Sequence, residues 1–210
     1  MILGDVMRRR IDRRQLSPLP YNCYSLMNLY ILRHASAGTS RLNPVLDKKR
    51  PLDKEGKEHC LHLAQVLNAL KVTFDLVASS PLKRSLQTAQ LVATETGYEA
   101  QILLSKALCP EASFADFQEL LKELNGSENI LVVGHSPNIQ MFLGSLLSEA
   151  TAPQKIPQVR MRKGSIARLA INRGPGIRNP VTLLSVIDPR TVRALYATST
   201  KSSRRKTSRK

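Results

Sequence analysis

The chain has 210 residues, 42% of them hydrophobic and 23% charged, a length and balance that suit one folded domain with a sizeable core. No apolar run approaches the ~18 residues of a membrane-spanning helix, and the arginine-rich N-terminus lacks the apolar stretch of a secretory signal, so a cytoplasmic protein is expected. The net charge of +16 invites a nucleic-acid reading, but nine of those charges sit in two short ends: residues 1–26, with five arginines against two aspartates, and residues 198–210, with six basic residues and no acid. That distribution argues for solvated basic ends and against nucleic acid as the main partner.

Residues 1–26 show no periodicity, and Pro18 and Pro20 break any helix. Three readings of this stretch stay open: a flexible basic extension, a mis-assigned start with translation beginning at Met27, or an Arg-rich transit peptide. After Met27, the apolar run Leu29 to Leu32 reads as a buried strand. Residues 35–50 are polar, contain Gly38, Asn43 and Pro44, and read as a loop. Asp53 then looks like the N-cap of a helix to about Leu70, with Leu61, Ala64, Leu67 and Leu70 on one face. Residues 75–79 read as a strand, after which Ser80 is expected to cap a helix that has Pro81 at its first position and runs to about Thr96.

A strand near 100–104, a helix over 114–124 behind Ser113, and a buried strand over 129–133 ending at Gly134-His135 follow. A helix over 137–148 and strands over 165–171 and 181–187 complete the pattern. Strand–helix alternation predicts an α/β three-layer sandwich with a mostly parallel sheet over residues 27–197, and the basic, apolar-free residues 198–210 are expected to be a disordered tail. Cys23, Cys60 and Cys109 are odd in number and form no CxxC pair, so reduced thiols are expected rather than disulfides or a thiolate zinc site. His59 and His62 sit three apart on the first long helix with no evident third ligand, which favours ordinary packed histidines over a metal pair.

The chemistry-bearing residues fall at strand ends. Arg33 and His34 follow the first strand, Arg84 lies in the first turn of the helix after the second, and His135 follows the strand over 129–133. The carboxyl ends of strands are where open α/β sheets bind ligands. Two arginines converging there can fork onto the oxygens of a phosphoryl group. A neutral imidazole can attack phosphorus, and a second can donate to the developing charge. With the arginines neutralising the phosphoryl group, no metal or other cofactor is expected.

These residues carry a resemblance. Leu32-Arg33-His34-Ala35 resembles the Arg-His-Gly signature of the histidine phosphatase superfamily, the phosphoglycerate mutase-like proteins. The segment Ser79-Ser80-Pro81-Leu82-Lys83-Arg84-Ser85-Leu86-Gln87-Thr88-Ala89 resembles its Ser-Pro-x-x-Arg-x-x-x-Thr-Ala motif, and Val133-Gly134-His135 its second histidine. Arg50-Pro51-Leu52, Gly56 and the stretch Lys163-Gly164-Ser165-Ile166-Ala167-Arg168-Leu169 resemble the SixA-type phosphohistidine phosphatases within it. The resemblance implies a phosphoglycerate mutase-like fold, a transiently phosphorylated His34, and phosphoryl oxygens held by Arg33, Arg84 and His135. For the leaving-group acid used by many members, Glu111 is the nearest candidate.

Three functions are weighed on this basis. Only 50 residues separate Arg84 from His135, too few for a lid, so the pocket is expected to be shallow and open to phosphohistidine on a protein. A small phosphorylated metabolite, a sugar phosphate or nucleotide, is the second reading. A basic nucleic-acid-binding protein is the third, and no membrane partner is expected.

Overall fold

The structure is a computed structural model that describes residues 26–148, 156–173 and 181–197. The expectations for residues 1–25 and the basic end at 198–210, Cys23 included, lie outside the described residues. In chain order the elements are β1 (Leu26–Arg33), α1 (Pro44–Lys48), α2 (Lys54–Ala69), β2 (Leu76–Ser79), α3 (Lys83–Glu95), β3 (Leu103–Leu104), α4 (Phe114–Glu123), β4 (Asn129–Gly134), α5 (Asn138–Ser148), β5 (Ile166–Asn172) and β6 (Val181–Ile187). A further helix, α6, covers residues 189–197. Among the described residues no helix is long and apolar enough to cross a membrane.

The six strands form one sheet in the order β3-β2-β4-β1-β5-β6. β3, β2, β4 and β1 run parallel, β5 is antiparallel to β1, and β6 is antiparallel to β5. Alternation along the central strands divides the core into two layers. Tyr30, Leu32, Leu131 and Val133 face α2, α3 and Val192 of α6, while Leu29, Ile31, Ile130 and Val132 face Phe117 and Leu120 of α4 and Phe142 and Leu143 of α5. Both faces are covered, which is why β1 and β4 read as unbroken apolar runs rather than as an alternating pattern.

The expected sandwich and mostly parallel sheet are present, with three local differences. Residues 35–50 are not all loop: Asn43 accepts from the backbone N–H groups of Val45 and Leu46 and starts the one-turn helix α1 with Pro44 at its first position. Ser80 does not cap α3. The helix begins at Lys83, its cap position is Leu82 without any side-chain cap bond, and the Ser80 hydroxyl is turned to His135 instead. Residues 189–197 form a helix after the last expected strand.

Other caps agree with the sequence. The Asp53 carboxylate accepts from Gly56 N at 2.7 Å, and Ser113 forms a capping box with Asp116. Gly56 also lets the start of α2 lie against the loop after β1, because a Cβ there would stand 2.0 Å from the Ser36 carbonyl oxygen.

Topology then produces the crevice. β1 and β4 are parallel neighbours in register Arg33↔Gly134, and Ser79 of β2 pairs with Val133. The chain leaves β1 and β2 toward the α2–α3 layer but leaves β4 toward α5 in the other layer. Connections that part to opposite faces open a gap outside the strand ends, the usual binding position in such sheets.

Candidate active site

Arg33 and His34 are stitched into this gap by backbone bonds on both sides. His34 N donates to Gly134 O at 3.0 Å, Arg33 N donates to Ser165 O at 3.0 Å, and Gly164 N donates to the carbonyls of Arg33 and His34 at 3.0 and 3.1 Å. Gly164 adopts φ +83°, and a Cβ there would stand 2.4 Å from the His59 ring, so the turn requires glycine. His59 is buried and bonds the Gly164 carbonyl through Nε2 at 2.9 Å, bracing that turn from α2. His62 instead stacks on Tyr196 of α6 at 4.2 Å, so the two histidines serve different contacts. Among the described residues no group of three or more His, Cys, Asp or Glu is placed to hold a metal ion.

The four residues singled out in the sequence do converge. The His34 and His135 rings lie 5.0 Å apart, centroid to centroid, and both are buried. His34 Nδ1 lies 2.8 Å from its neighbour's carbonyl, Ala35 O. A carbonyl oxygen only accepts, so Nδ1 carries the ring proton and Nε2 keeps the lone pair. Ala35 is itself fixed: its N–H donates to Thr88 Oγ1 at 3.1 Å, and that hydroxyl donates to Arg84 O at 2.7 Å. Thr88 therefore ties the loop after His34 to the helix that carries Arg84.

Arg84 is buried and its terminal nitrogen donates to the Asp47 backbone carbonyl at 3.0 Å and the Asp47 carboxylate at 3.3 Å. Asp47 also accepts from Arg50 Nε at 2.9 Å. Arg33 is half-buried, with one terminal nitrogen on Met161 O at 2.8 Å. Around His135, the hydroxyls of Ser80 and Ser85 lie 3.0 and 3.2 Å from Nε2.

Three nitrogens here are buried yet bonded to no described protein atom: Arg33 Nε, Arg84 Nε and His135 Nδ1. A buried polar nitrogen left without a partner costs about 1–3 kcal/mol. All three belong to residues that the sequence singled out for the candidate site.

Electrostatics sets the protonation. Burial pushes the His34 imidazole down to about 3, and the positive charges of Arg84, Arg33 and Lys163 add to the effect. Burial lowers His135 as well, to about 2, with His34 and Arg84 as further causes. Both rings are thus neutral at neutral pH, as a nucleophile and a hydrogen-bond donor need to be.

A stability consequence follows from the sign of these shifts. The unfolded chain takes up a proton at each ring below about 6.5, while the folded one does not until about pH 3, so the stability due to neutral burial is lost as pH falls through that window. Between pH 7 and 5 the loss should be about 2 kcal/mol for each imidazole. Urea unfolding at the two pH values should give a clearly shallower pH dependence for His34→Asn than for wild type. Equal dependence in the two proteins would contradict the assignment.

Glu111, the candidate acid, is exposed and stands on the wall of a groove beside Pro81 and Lys83. Among the described residues no hydrogen bond or ion pair joins it to Arg33, His34, Arg84 or His135. Cys109, which shares that groove, is a buried free thiol with Sγ 3.5 Å from Ser80 Oγ, and Cys60 is a buried free thiol pushed up to about 12 by burial. The residue that sequence reasoning missed is Asp47, the carboxylate bonded to Arg84. Its one local signal was the Asp47-x-x-Arg50 spacing, and Arg50 Nε does bond the Asp47 carboxylate at 2.9 Å.

Residues 29–125 match the family described as the histidine phosphatase superfamily (branch 1). An uncharacterised protein of Picosynechococcus sp. is 33% identical over 116 residues, which are 54% of this chain and 68% of that protein. The fold is similar to that of the protein histidine phosphatase SixA complexed with tungstate, with a TM-score of 0.66 at 21% identity, over 79% of this chain and 99% of that one. It is also similar to the alpha-ribazole phosphatase from Shigella flexneri, with a TM-score of 0.60 at 18% identity, over 78% and 97% of the two chains.

Proposed function

The chain belongs to the histidine phosphatase superfamily and is a phosphatase, and from that premise we propose that it hydrolyses phosphohistidine on a protein through a phosphorylated His34. Residues 27–197 are its catalytic domain in this reading. The observation that carries it is the Nδ1 bond of His34 to Ala35 O, which leaves Nε2 with its lone pair amid Arg33, Arg84 and His135. Nε2 attacks the phosphorus, and the bond from phosphorus to the substrate's imidazole nitrogen breaks, that nitrogen keeping the electron pair and taking up a proton from solvent so that it leaves as neutral imidazole. Water then attacks the phosphorus on His34, releasing inorganic phosphate and restoring the free imidazole. Arg33, Arg84 and His135 hold the three outer oxygens through both steps, which is where phosphoryl transfer needs positive charge and donors.

The arginines supply the neutralising charge, so in this reading turnover survives EDTA. The tungstate of the similar SixA structure, an oxyanion, supports an oxyanion pocket in this fold. A phosphohistidine substrate leaves as an imidazole, which needs less acid help than an alkoxide. Glu111 is then the proton donor only for more demanding alkyl esters.

The test is a comparison of phosphohistidine protein with sugar phosphates on one preparation. Phosphohistidine should turn over at least tenfold faster, a difference of about 1.4 kcal/mol in transition-state stabilisation. Glu111→Gln should slow alkyl phosphates more than phosphohistidine. The likeness to alpha-ribazole phosphatase makes a small phosphate ester the second reading, and a tenfold preference for such an ester would put it first.

A further inference from the structure

A groove of ≈ 820 Å³ runs from the catalytic end of the sheet along α4. Four lysines line it, Lys48 and Lys49 at the end of α1, Lys83 at the start of α3 and Lys106 in the turn after β3, with Glu111 as the one carboxylate of the lining outside α4. All four lysines are exposed, and none forms an ion pair with another described residue. This wall adjoins the phosphoryl pocket directly, since Lys83 precedes Arg84 and Lys48 follows the Asp47 that bonds it.

The opposite wall is acidic. Asp116, Glu119 and Glu123 all line the groove from α4. Their spacing of three and four places them on one helical face, a stripe about 10 Å long at 1.5 Å per residue. No ion pair crosses from the lysine wall to this stripe. Between the walls the lining is apolar, with Pro81, Leu82, Ala107 and Leu120.

On the acidic side Glu119 pairs with Lys122 of its own helix and Asp116 caps that helix with Ser113, so all partners of the stripe are local. With no ion pair between the lysines and the stripe and an apolar floor between them, the groove forms an oriented seat for a charged polypeptide. We infer that this groove docks the protein that carries the phosphoryl group, by a segment with acidic side chains next to the phosphorylated residue and basic side chains farther along. The acids meet the lysines beside Arg84, and the bases meet the stripe on α4. Opposite order would bring like charges together on both walls, which rejects a reversed segment and sets the docking direction. The inference rests on the phosphohistidine reading and adds to it the charge pattern of the partner.

The test uses two synthetic phosphohistidine peptides of identical composition. One has three aspartates beside the phosphohistidine and three lysines beyond them; the other has the two blocks exchanged. Phosphoramidate, which has no flanking residues, serves as the reference substrate for the full-length enzyme. We expect kcat/KM for the first peptide to exceed that for the second at least tenfold at low ionic strength, and the gap to close in 0.5 M salt as screening shortens to about 4 Å. The Lys49→Glu/Lys106→Glu enzyme should narrow the ratio between the peptides by at least threefold, each rate being scaled to that variant's own phosphoramidate rate. Equal rates for the two peptides, or a preference for the second, would overturn the docking assignment while leaving the phosphohistidine reading intact. Failure to hydrolyse either peptide, with a sugar phosphate turned over well, would overturn both.

Discussion

His34→Ala is expected to lower the hydrolysis of phosphoramidate by a factor on the order of 10⁶, the scale of loss when a covalent nucleophile is removed. The size of the effect follows from the mechanism. Without Nε2 there is no phosphoenzyme, and the remaining donors can stabilise only a direct attack by water that nothing positions. The fold should persist, because His34 contributes one side-chain bond to its own loop while the backbone of that loop is held by Gly134, Gly164 and Ser165. Circular dichroism at neutral pH would establish that. The direct sign in wild type is a phosphoryl mark that is acid-labile and base-stable, trapped on brief exposure to substrate and mapped to His34. A His34→Ala enzyme of near-normal rate, or a mark that maps elsewhere, would remove His34 from the mechanism.

Arg84→Ala should cost about 2.7–4 kcal/mol of transition-state stabilisation, which is roughly 10²–10³-fold in kcat. Arg84 is buried and fixed by Asp47 at two points, with Nε bonded to no described protein atom, so its fork is already in place before a phosphoryl group arrives. Preorganisation of that kind makes a charge worth more in the transition state than a mobile surface cation could be. Lys83, one residue earlier, is exposed and outside the imidazole pair, so Lys83→Ala should cost far less on phosphoramidate. Similar small losses in both variants would deny Arg84 its role. A useful companion is Arg84→Lys: it keeps the charge but lacks the fork and the second bond to Asp47, and should recover only part of the loss.

The four residues of the candidate site were readable because each is tied to a local signal. Arg33-His34 and His135 directly follow apolar runs that could only be buried strands, and Arg84 sits inside a motif of fixed spacing. Ser80 was readable as a residue but not in its role. By local rules a serine before proline is a helix cap, and only the arrival of His135 from 55 positions away gives its hydroxyl a better partner. Asp47 lay in a stretch that reads as loop, and nothing in its neighbourhood signals an arginine 37 residues ahead.

Alone, then, the sequence determined which segments are buried strands and where the longer helices α2 to α5 lie, and it brought Arg33, His34, Arg84 and His135 forward as candidates, because those properties depend on runs, periods and caps within a few residues. Only the tertiary structure decided the rest. Whether β5 joins β1 parallel or antiparallel, which tautomer His34 adopts, how Thr88 and Gly164 lock the loop around it, and the facing of a lysine wall by an acid stripe all depend on groups brought together from distant parts of the chain. Side chains of this kind carry no local preference for one another. Their partners are chosen by the packing of the two layers on the sheet, and that choice is made in space rather than along the sequence.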